Sequence, residues 1–103
     1  KGNIIPMKDT IPSDLKIPHI GWNALSFQGE KHPIFRYIND GDYVYFVHSY
    51  ACFADDVSDV LTTTEYGVRF CSSVQRGNVF GTQFHPEKSG SVGERILKNF
   101  LNL

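Results

Sequence analysis

A histidine and a glutamate two residues apart are the side chains of this sequence best suited to chemistry. They lie in Gly81-Thr82-Gln83-Phe84-His85-Pro86-Glu87. Side chains two apart in an extended segment point the same way, so we expect His85 and Glu87 to lie together at a strand end. A carboxylate that accepts one ring N–H leaves the other imidazole nitrogen free as a general base and acid. The spacing predicts a catalytic His–Glu dyad, and the alternative is a solvated turn.

The elements on either side of this pair are a hairpin and a helix. Val68 to Val74 and Val79 to Phe84 are rich in β-formers, and Gln75-Arg76-Gly77-Asn78 between them is typical of a hairpin turn. Beyond the pair, Ser91 and Glu94 form a capping-box signature at the start of a helix. Its apolar residues recur at helical spacing and are Val92, Ile96, Leu97, Phe100, Leu101 and Leu103.

Three further strands are predicted earlier in the chain. His19 to Phe27 reads as one strand that ends at residues 28–30, and Val60 to Tyr66 reads as a strand with a more solvated face. Asp42 to Tyr50 shows no polar alternation, which favours a strand covered on both faces. Residues 1–18 are rich in Pro, Asp, Ser and Lys and predict a long surface connection.

About five strands and one helix make an incomplete layer arrangement. A single helix cannot cover a strand that is buried on both faces. The chain also lacks an initiator Met, and Lys1-Gly2-Asn3-Ile4-Ile5-Pro6 reads like an interior loop. We therefore expect residues 1–103 to be part of a larger domain, and we expect the chain alone to expose apolar surface and self-associate.

Composition excludes several classes of protein. Ten basic and eleven acidic residues, without a Lys/Arg block, argue against a nucleic-acid binder. No apolar run approaches the ~20 residues that span a bilayer, and no signal-peptide pattern opens the chain, so a cytoplasmic location is expected. Cys52 and Cys71 lack C-x-x-C spacing, and the four histidines lack ligand spacing. Free thiols are therefore expected, with no metal and no bound cofactor.

The segment from Phe80 to Ser89 resembles the closing motif of the class I (triad) glutamine amidotransferases, in which a His and a Glu complete a Cys-His-Glu triad. Three other segments are similar to one branch of that family, the glutaminase subunits of imidazole glycerol phosphate synthases. They are Pro18-His19-Ile20-Gly21-Trp22-Asn23, Tyr45-Phe46-Val47-His48-Ser49-Tyr50 and Thr63-Thr64-Glu65-Tyr66-Gly67. The resemblance runs through nearly the whole chain in the right order.

The resemblance implies a fold and a reaction. The fold is α/β: the C-terminal, strand-rich half of a flavodoxin-like three-layer domain with a C-terminal helix, without the half that carries the nucleophile. The reaction is hydrolysis of glutamine to glutamate and ammonia through a glutamyl thioester. His85 would activate the thiol and protonate the ammonia, and Glu87 would orient His85. The main chain of Ser49 and Tyr50 would bind the α-amino and α-carboxylate groups of glutamine, whereas His48 is read as structural.

The resemblance also implies a partner. Free ammonia becomes ammonium in water, so it must pass directly into the active site of a synthase. That partner would be the eight-fold β/α barrel subunit that makes imidazole glycerol phosphate and AICAR in histidine biosynthesis. We expect Trp22, Asn23, Tyr45 and Lys88 to mark the surface that meets it.

One feature of the family is missing. Its nucleophile lies in a Gly-x-Cys-x-Gly turn, and neither Ala51-Cys52-Phe53 nor Phe70-Cys71-Ser72 has flanking glycines. The chain alone is therefore expected to be inactive. Two other interpretations stay open: a glutaminase unit that serves another acceptor, and a β-rich interaction module in which His85-Pro86-Glu87 is a surface turn.

Overall fold

A computed structural model describes residues 2–12, 14–27 and 31–103. The strands are β1 (Gly2–Pro6), β2 (His19–Ala24), β3 (Ser26–Phe27), β4 (Tyr43–His48), β5 (Tyr50–Ala54), β6 (Val60–Tyr66), β7 (Val68–Arg76) and β8 (Val79–Thr82), and α1 is Gly90–Leu101. Short 3-10 helices cover Met7–Asp9, Pro33–Phe35, Val57–Asp59 and Pro86–Lys88. The predicted class, a strand-rich chain that ends in a helix, is confirmed.

The strands form three antiparallel groups. β1 pairs with β5, β2 pairs with β4, and β3, β6, β7 and β8 form a four-stranded sheet in that order. The main chain therefore leaves one group for another at Ser49, between β4 and β5. The predicted β7–β8 hairpin is confirmed, and Gly77 takes the positive φ of +60° that its turn requires. β7 extends two residues further than predicted, to Arg76.

The core lies between these strands and the helix. Its fully buried members include Met7, Leu25, Phe35, Val44, Phe46 and Phe70. α1 packs on the two 3-10 helices at 33–35 and 86–88 and on β4. The Asn99 side-chain amide also donates to the carbonyls of Ile34 and Arg36, at 2.9 Å each. No helix in the described ranges is long and apolar enough to span a membrane.

Two predictions for the first 27 residues need correction. Residues 1–18 are not only a surface connection, because β1 pairs with β5 and Met7 is fully buried. The predicted strand from His19 to Phe27 is broken at Leu25, whose N–H donates to the Asp42 carbonyl and whose carbonyl accepts from the Gly41 N–H. β2 and β3 then pair with different strands. The predicted strand end at 28–30 lies outside the described residues.

The prediction that β4 is covered on both faces is wrong for this structure. Val44 and Phe46 are fully buried, whereas Tyr43 and Val47 are 56% and 37% exposed. The strand therefore alternates between an inner and an outer face, as antiparallel strands do. The alternation is hidden in the sequence because the outer face is also aromatic and β-branched.

The predicted capping box is wrong as well. α1 begins at Gly90, which takes a φ of +60°, so Ser91 lies inside the helix instead of capping it. Ser89 occupies the N-cap position without a side-chain capping bond, because its hydroxyl bonds elsewhere. The buried stripe is also narrower than predicted. Ile96 is buried, while Phe100 and Leu103 are about half exposed.

Candidate active site

The structure places His85 and Glu87 in hydrogen-bond contact. His85 Nδ1 lies 3.0 Å from Glu87 Oε2, within the range that the dyad prediction requires. The local geometry differs from the extended segment that the spacing suggested. His85 itself is extended, but Pro86, at the first position of the 3-10 helix Pro86–Lys88, turns the chain so that the carboxylate returns to the ring.

The contact defines the tautomer of His85. A carboxylate can only accept, so Nδ1 carries the proton and Nε2 is left as the nitrogen that can take or give one. The hydrogen bond from its own backbone N–H, and next that from His85, hold the pKa of Glu87 below its usual range. Glu87 is therefore a carboxylate at neutral pH. The side chains of His85 and Glu87 are 39% and 59% exposed.

The main chain of the dyad is fixed to the middle of β4. The His85 N–H donates to the Tyr45 carbonyl at 2.9 Å. The Ser89 hydroxyl accepts from the Tyr45 N–H at 2.9 Å and donates to the His85 carbonyl at 2.6 Å. Because Ser89 is only 1% exposed, this bridge is shielded from water. Both ends of the His85–Ser89 loop are thus held by a single residue of β4, Tyr45.

Helix α1 supports the same loop from behind. A Cβ added at Gly93 would lie 1.9 Å from the Pro86 carbonyl oxygen and 2.8 Å from Ser89 Cβ. Only glycine lets the first turn of the helix approach the loop this closely. Sequence reasoning missed both Ser89 and Gly93. The available signal was a serine and a glycine placed four and eight residues after His85.

The predicted glutamine-binding residues follow directly after β4, the strand that anchors the dyad. Ser49 is the bend between β4 and β5, and its carbonyl accepts from the Met7 N–H at 2.9 Å. Tyr50 opens β5 and is 54% exposed. At about 3.3 Å per residue, Tyr45 and Ser49 are about 13 Å apart along the chain. Their role in binding stays a prediction.

The four predicted interface residues fall into two groups. Trp22 and Tyr45 are cross-strand neighbours whose rings meet edge to face at 5.8 Å. Trp22 is 53% exposed, and its ring lies beside Gly90, two residues after the exposed Lys88. Asn23 lies on the inner face of β2. Its amide donates to the Glu65 carbonyl at 3.0 Å and its oxygen accepts from the Ala24 N–H.

Both cysteines are free thiols, and neither is exposed. Cys52 is half-buried in β5, and burial, with the neighbouring Cys71 next, raises the pKa of its thiol. Cys71 is buried and its Sγ accepts from the Ala54 N–H at 3.3 Å. A reactive cysteine normally has a lowered pKa, so the surroundings of Cys52 act in the opposite direction.

The described residues contain no metal-binding cluster, and a cavity among them is not lined by the dyad. No cluster of three His, Cys, Asp or Glu side chains in this part of the chain could hold a metal ion. A cavity of about 300 Å³ opens between β1, β5, β7 and β8, and the dyad does not line it. Its lining is mostly apolar and comprises Ile4, Cys52, Ala54, Asp59, Val74, Gln75, Arg76, Val79 and Gly81.

Comparison with known proteins agrees with this geometry. Residues 4–103 match the family model described as "Glutamine amidotransferase class-I". The relatives include "Imidazole glycerol phosphate synthase subunit HisH" of Salinibacter ruber, 49% identical over 99% of this chain and 48% of the relative. The proteins of the same name from Methanosarcina acetivorans and Syntrophotalea carbinolica are 51% and 55% identical, over 88% and 84% of this chain and 45% and 41% of the relatives.

The chain thus spans about half the length of the relatives it matches. The matched region contains the whole His85–Ser89 loop, the β4 strand that holds it and the helix behind it. On this match, the chain belongs to the class I glutamine amidotransferase family.

Proposed function

We propose that this chain supplies the general base, and the carboxylate that orients it, for a glutaminase. The observation that carries the proposal is the 3.0 Å contact between His85 Nδ1 and Glu87 Oε2, which leaves Nε2 as the nitrogen that can take a proton, in a member of an amidotransferase family. A buried anchor on β4 holds this pair in one orientation. A solvated surface turn would not need that support.

The proposed chemistry has two halves. His85 Nε2 takes the thiol proton of a cysteine, and the thiolate attacks the side-chain amide carbon of glutamine. The same nitrogen returns the proton to the departing ammonia, which leaves a glutamyl thioester. In the second half His85 takes a proton from water, hydroxide attacks the thioester, and glutamate and the thiol are released. Throughout, the Glu87 carboxylate accepts the hydrogen bond from His85 Nδ1–H. It thereby stabilises the imidazolium that forms once in each half of the reaction.

The nucleophile is proposed to come from a segment outside this sequence. Among the described residues no hydrogen bond joins either cysteine to His85, and burial raises the pKa of the Cys52 thiol. The main chain of Ser49 and Tyr50 is proposed to bind the α-amino and α-carboxylate groups of glutamine. At Ser49 this segment leaves the β2–β4 pair and enters the β1–β5 pair.

The experiment compares two proteins: this chain of 103 residues and the product of the complete reading frame that contains it, here called the complete gene product. Ammonia release from glutamine is measured for both, with and without the barrel subunit. We expect no release by the chain alone above its own His85→Ala variant, and release by the complete gene product. If the isolated chain released ammonia in a manner that depends on His85, the proposal that the nucleophile lies outside this sequence would be contradicted. An inactive complete gene product, even with the barrel subunit, would contradict the proposed function.

The ammonia is proposed to pass to the barrel-shaped cyclase subunit of an imidazole glycerol phosphate synthase, in the cytoplasm. Relatives at about 50% identity carry that synthase in their names. An apolar surface suited to a partner lies beside the dyad, on the outer face of the β2–β4 pair. It consists of Ile20, Trp22, Tyr43, Tyr45 and Val47, four of which are at least 37% exposed. Lys88 adds a positive charge next to this outer β2–β4 face.

Replacing Trp22 by alanine in the complete gene product should weaken association with the barrel subunit at least tenfold. Exposed tryptophans near the centre of an interface often contribute more than 2 kcal/mol. Lys88→Ala should have a smaller effect that diminishes at high salt, as expected for a charge pair at the rim. Affinity is measured by titration calorimetry, with Val57→Ala, an 82% exposed apolar residue on another element, as the control. Unchanged affinity for Trp22→Ala would place the partner on another surface.

A further inference from the structure

Two buried histidines form a hydrogen-bonded chain that the proposed catalytic steps do not use. His19 and His48 are directly opposed on β2 and β4, and His19 Nδ1 lies 2.9 Å from His48 Nε2. The other nitrogen of His48, Nδ1, lies 2.8 Å from the Tyr50 carbonyl oxygen. The two residues are 3% and 9% exposed, so these contacts are made away from bulk water.

The donor and acceptor of each hydrogen bond in this His19–His48–Tyr50 series follow from the last acceptor, a carbonyl oxygen. A carbonyl oxygen cannot donate, so His48 Nδ1 carries a proton and donates it to Tyr50. In a neutral His48 the Nε2 atom is then an acceptor, and His19 Nδ1 must donate to it. Burial lowers the pKa of His19 to about 4, with the neighbouring His48 as the second cause. Burial also lowers the pKa of His48, although the hydrogen bond to the Tyr50 carbonyl acts in the opposite direction. Both rings are therefore neutral at pH 7.

Aromatic packing fixes the plane of the His19 ring. His19 stacks on Tyr66 at 3.9 Å and on Phe46 at 4.9 Å, with interplanar angles of 13° and 16°. Stacking on two rings fixes the plane of the His19 imidazole, and the 2.9 Å contact with His48 determines which edge of the ring carries Nδ1. The Nδ1–H of His19 is thus aimed at His48, and His48 is in turn aimed at the main chain two residues beyond it.

The hydrogen bonds from the two histidines end at the bend where the main chain passes from β4 to β5, which belong to different strand groups. The Ser49 carbonyl is held by the Met7 N–H and the Tyr50 carbonyl by the His48 ring. Successive carbonyls of the bend are therefore fixed from two different directions. Such bonds determine the orientation of the peptide planes at Ser49 and Tyr50.

We propose that His48, supported by His19, is a positioning residue that holds the Ser49–Tyr50 main chain in the orientation that binds glutamine. The inference rests on the proposed function, since it concerns the substrate of that same site. In this role His48 does not exchange a proton with the substrate. Its loss should therefore weaken glutamine binding and leave the chemical step nearly unchanged.

The test measures glutaminase kinetics of the complete gene product with its barrel subunit. His48→Phe removes the donor to Tyr50 but keeps a ring among Phe46 and Phe70, which surround it. We expect its KM for glutamine to rise about tenfold, as for one lost hydrogen bond, with kcat changed less than about threefold. His48→Asn, whose amide can donate to the same carbonyl, should restore most of the affinity. Tyr66→Phe is the control, because it keeps the ring stacked on His19 and removes only the hydroxyl that donates to Lys16.

A second measurement does not depend on activity. Ring-nitrogen NMR of the ¹⁵N-histidine-labelled wild-type protein should show both His19 and His48 neutral at pH 7 and protonated at Nδ1. A His48 protonated only at Nε2 would overturn the inference, whether or not the variants fold. So would an unchanged KM in a folded His48→Phe protein, or a fall in kcat at constant KM. Absence of glutamine hydrolysis in the wild type would instead overturn the proposed function together with this inference.

Discussion

Replacing His85 by alanine in the complete gene product should lower kcat for glutamine hydrolysis by about 10²–10⁴-fold. A positioned general acid–base typically contributes this much, and no other imidazole is in the same arrangement in the described residues. His19 and His48 are buried and bonded to one another, while His32 Nδ1 accepts from the Ile34 N–H. The measurement is the steady-state rate of ammonia release with saturating glutamine.

The effect should be specific to the proton-transfer step. Thioester formation and hydrolysis both need the His85 Nε2 atom, so the KM of the His85→Ala protein should change far less than its kcat. Glu87→Gln keeps an oxygen that can accept from His85 Nδ1 but removes the negative charge, so a smaller loss is expected. His32→Ala, which removes a histidine outside the dyad, should stay within about twofold of wild type. A His85→Ala protein that retains a tenth of the wild-type kcat would remove the basis for the dyad.

The contact between His85 and Glu87 could be predicted from the sequence because only one residue separates them. His85 and Glu87 meet through one short turn, and no distant element has to be placed correctly for the contact to form. The predicted reason was nevertheless incomplete. An extended segment was expected, whereas Pro86 starts a 3-10 helix that folds the carboxylate back toward the ring. The residue types were sufficient to predict the contact between the two side chains but not the backbone conformation that brings them together.

Several other features that were not predicted depend on contacts between distant parts of the chain. β1 looks like a loop in the sequence, because only Ile4 and Ile5 favour a strand, and its pairing with β5 forms across more than 40 residues. The His19–His48 contact depends on the register of β2 against β4, which no local pattern encodes. The prediction of a capping box at Ser91 and Glu94 was wrong for a related reason. Ser91 and Glu94 fit the pattern, but Gly90 already begins the helix because the loop before it is held on Tyr45.

The link between helix α1 and the dyad loop leads to a prediction about stability. Gly93→Ala should destabilise the fold by about 2 kcal/mol, even though alanine is the better helix former by about 1 kcal/mol. The added Cβ would lie 1.9 Å from the Pro86 carbonyl oxygen, which is far inside contact distance. The obstacle is backbone, so it cannot move away as a side-chain end could. Overpacking of this kind typically costs 1–3 kcal/mol or more, so the strain should exceed the gain in propensity.

The clash also connects stability to activity. To relieve it, either α1 moves outward or the His85–Ser89 loop shifts on β4, and both strain the Ser89 bridge to Tyr45. We therefore expect Gly93→Ala to lower the denaturation midpoint and also the kcat for glutamine. Urea denaturation and ammonia release are measured on the complete gene product, with the exposed neighbour Glu94→Ala as the control in the same helix. If Gly93→Ala equals or exceeds the wild type in stability, helix propensity outweighs the contact, and α1 does not hold the dyad loop in place.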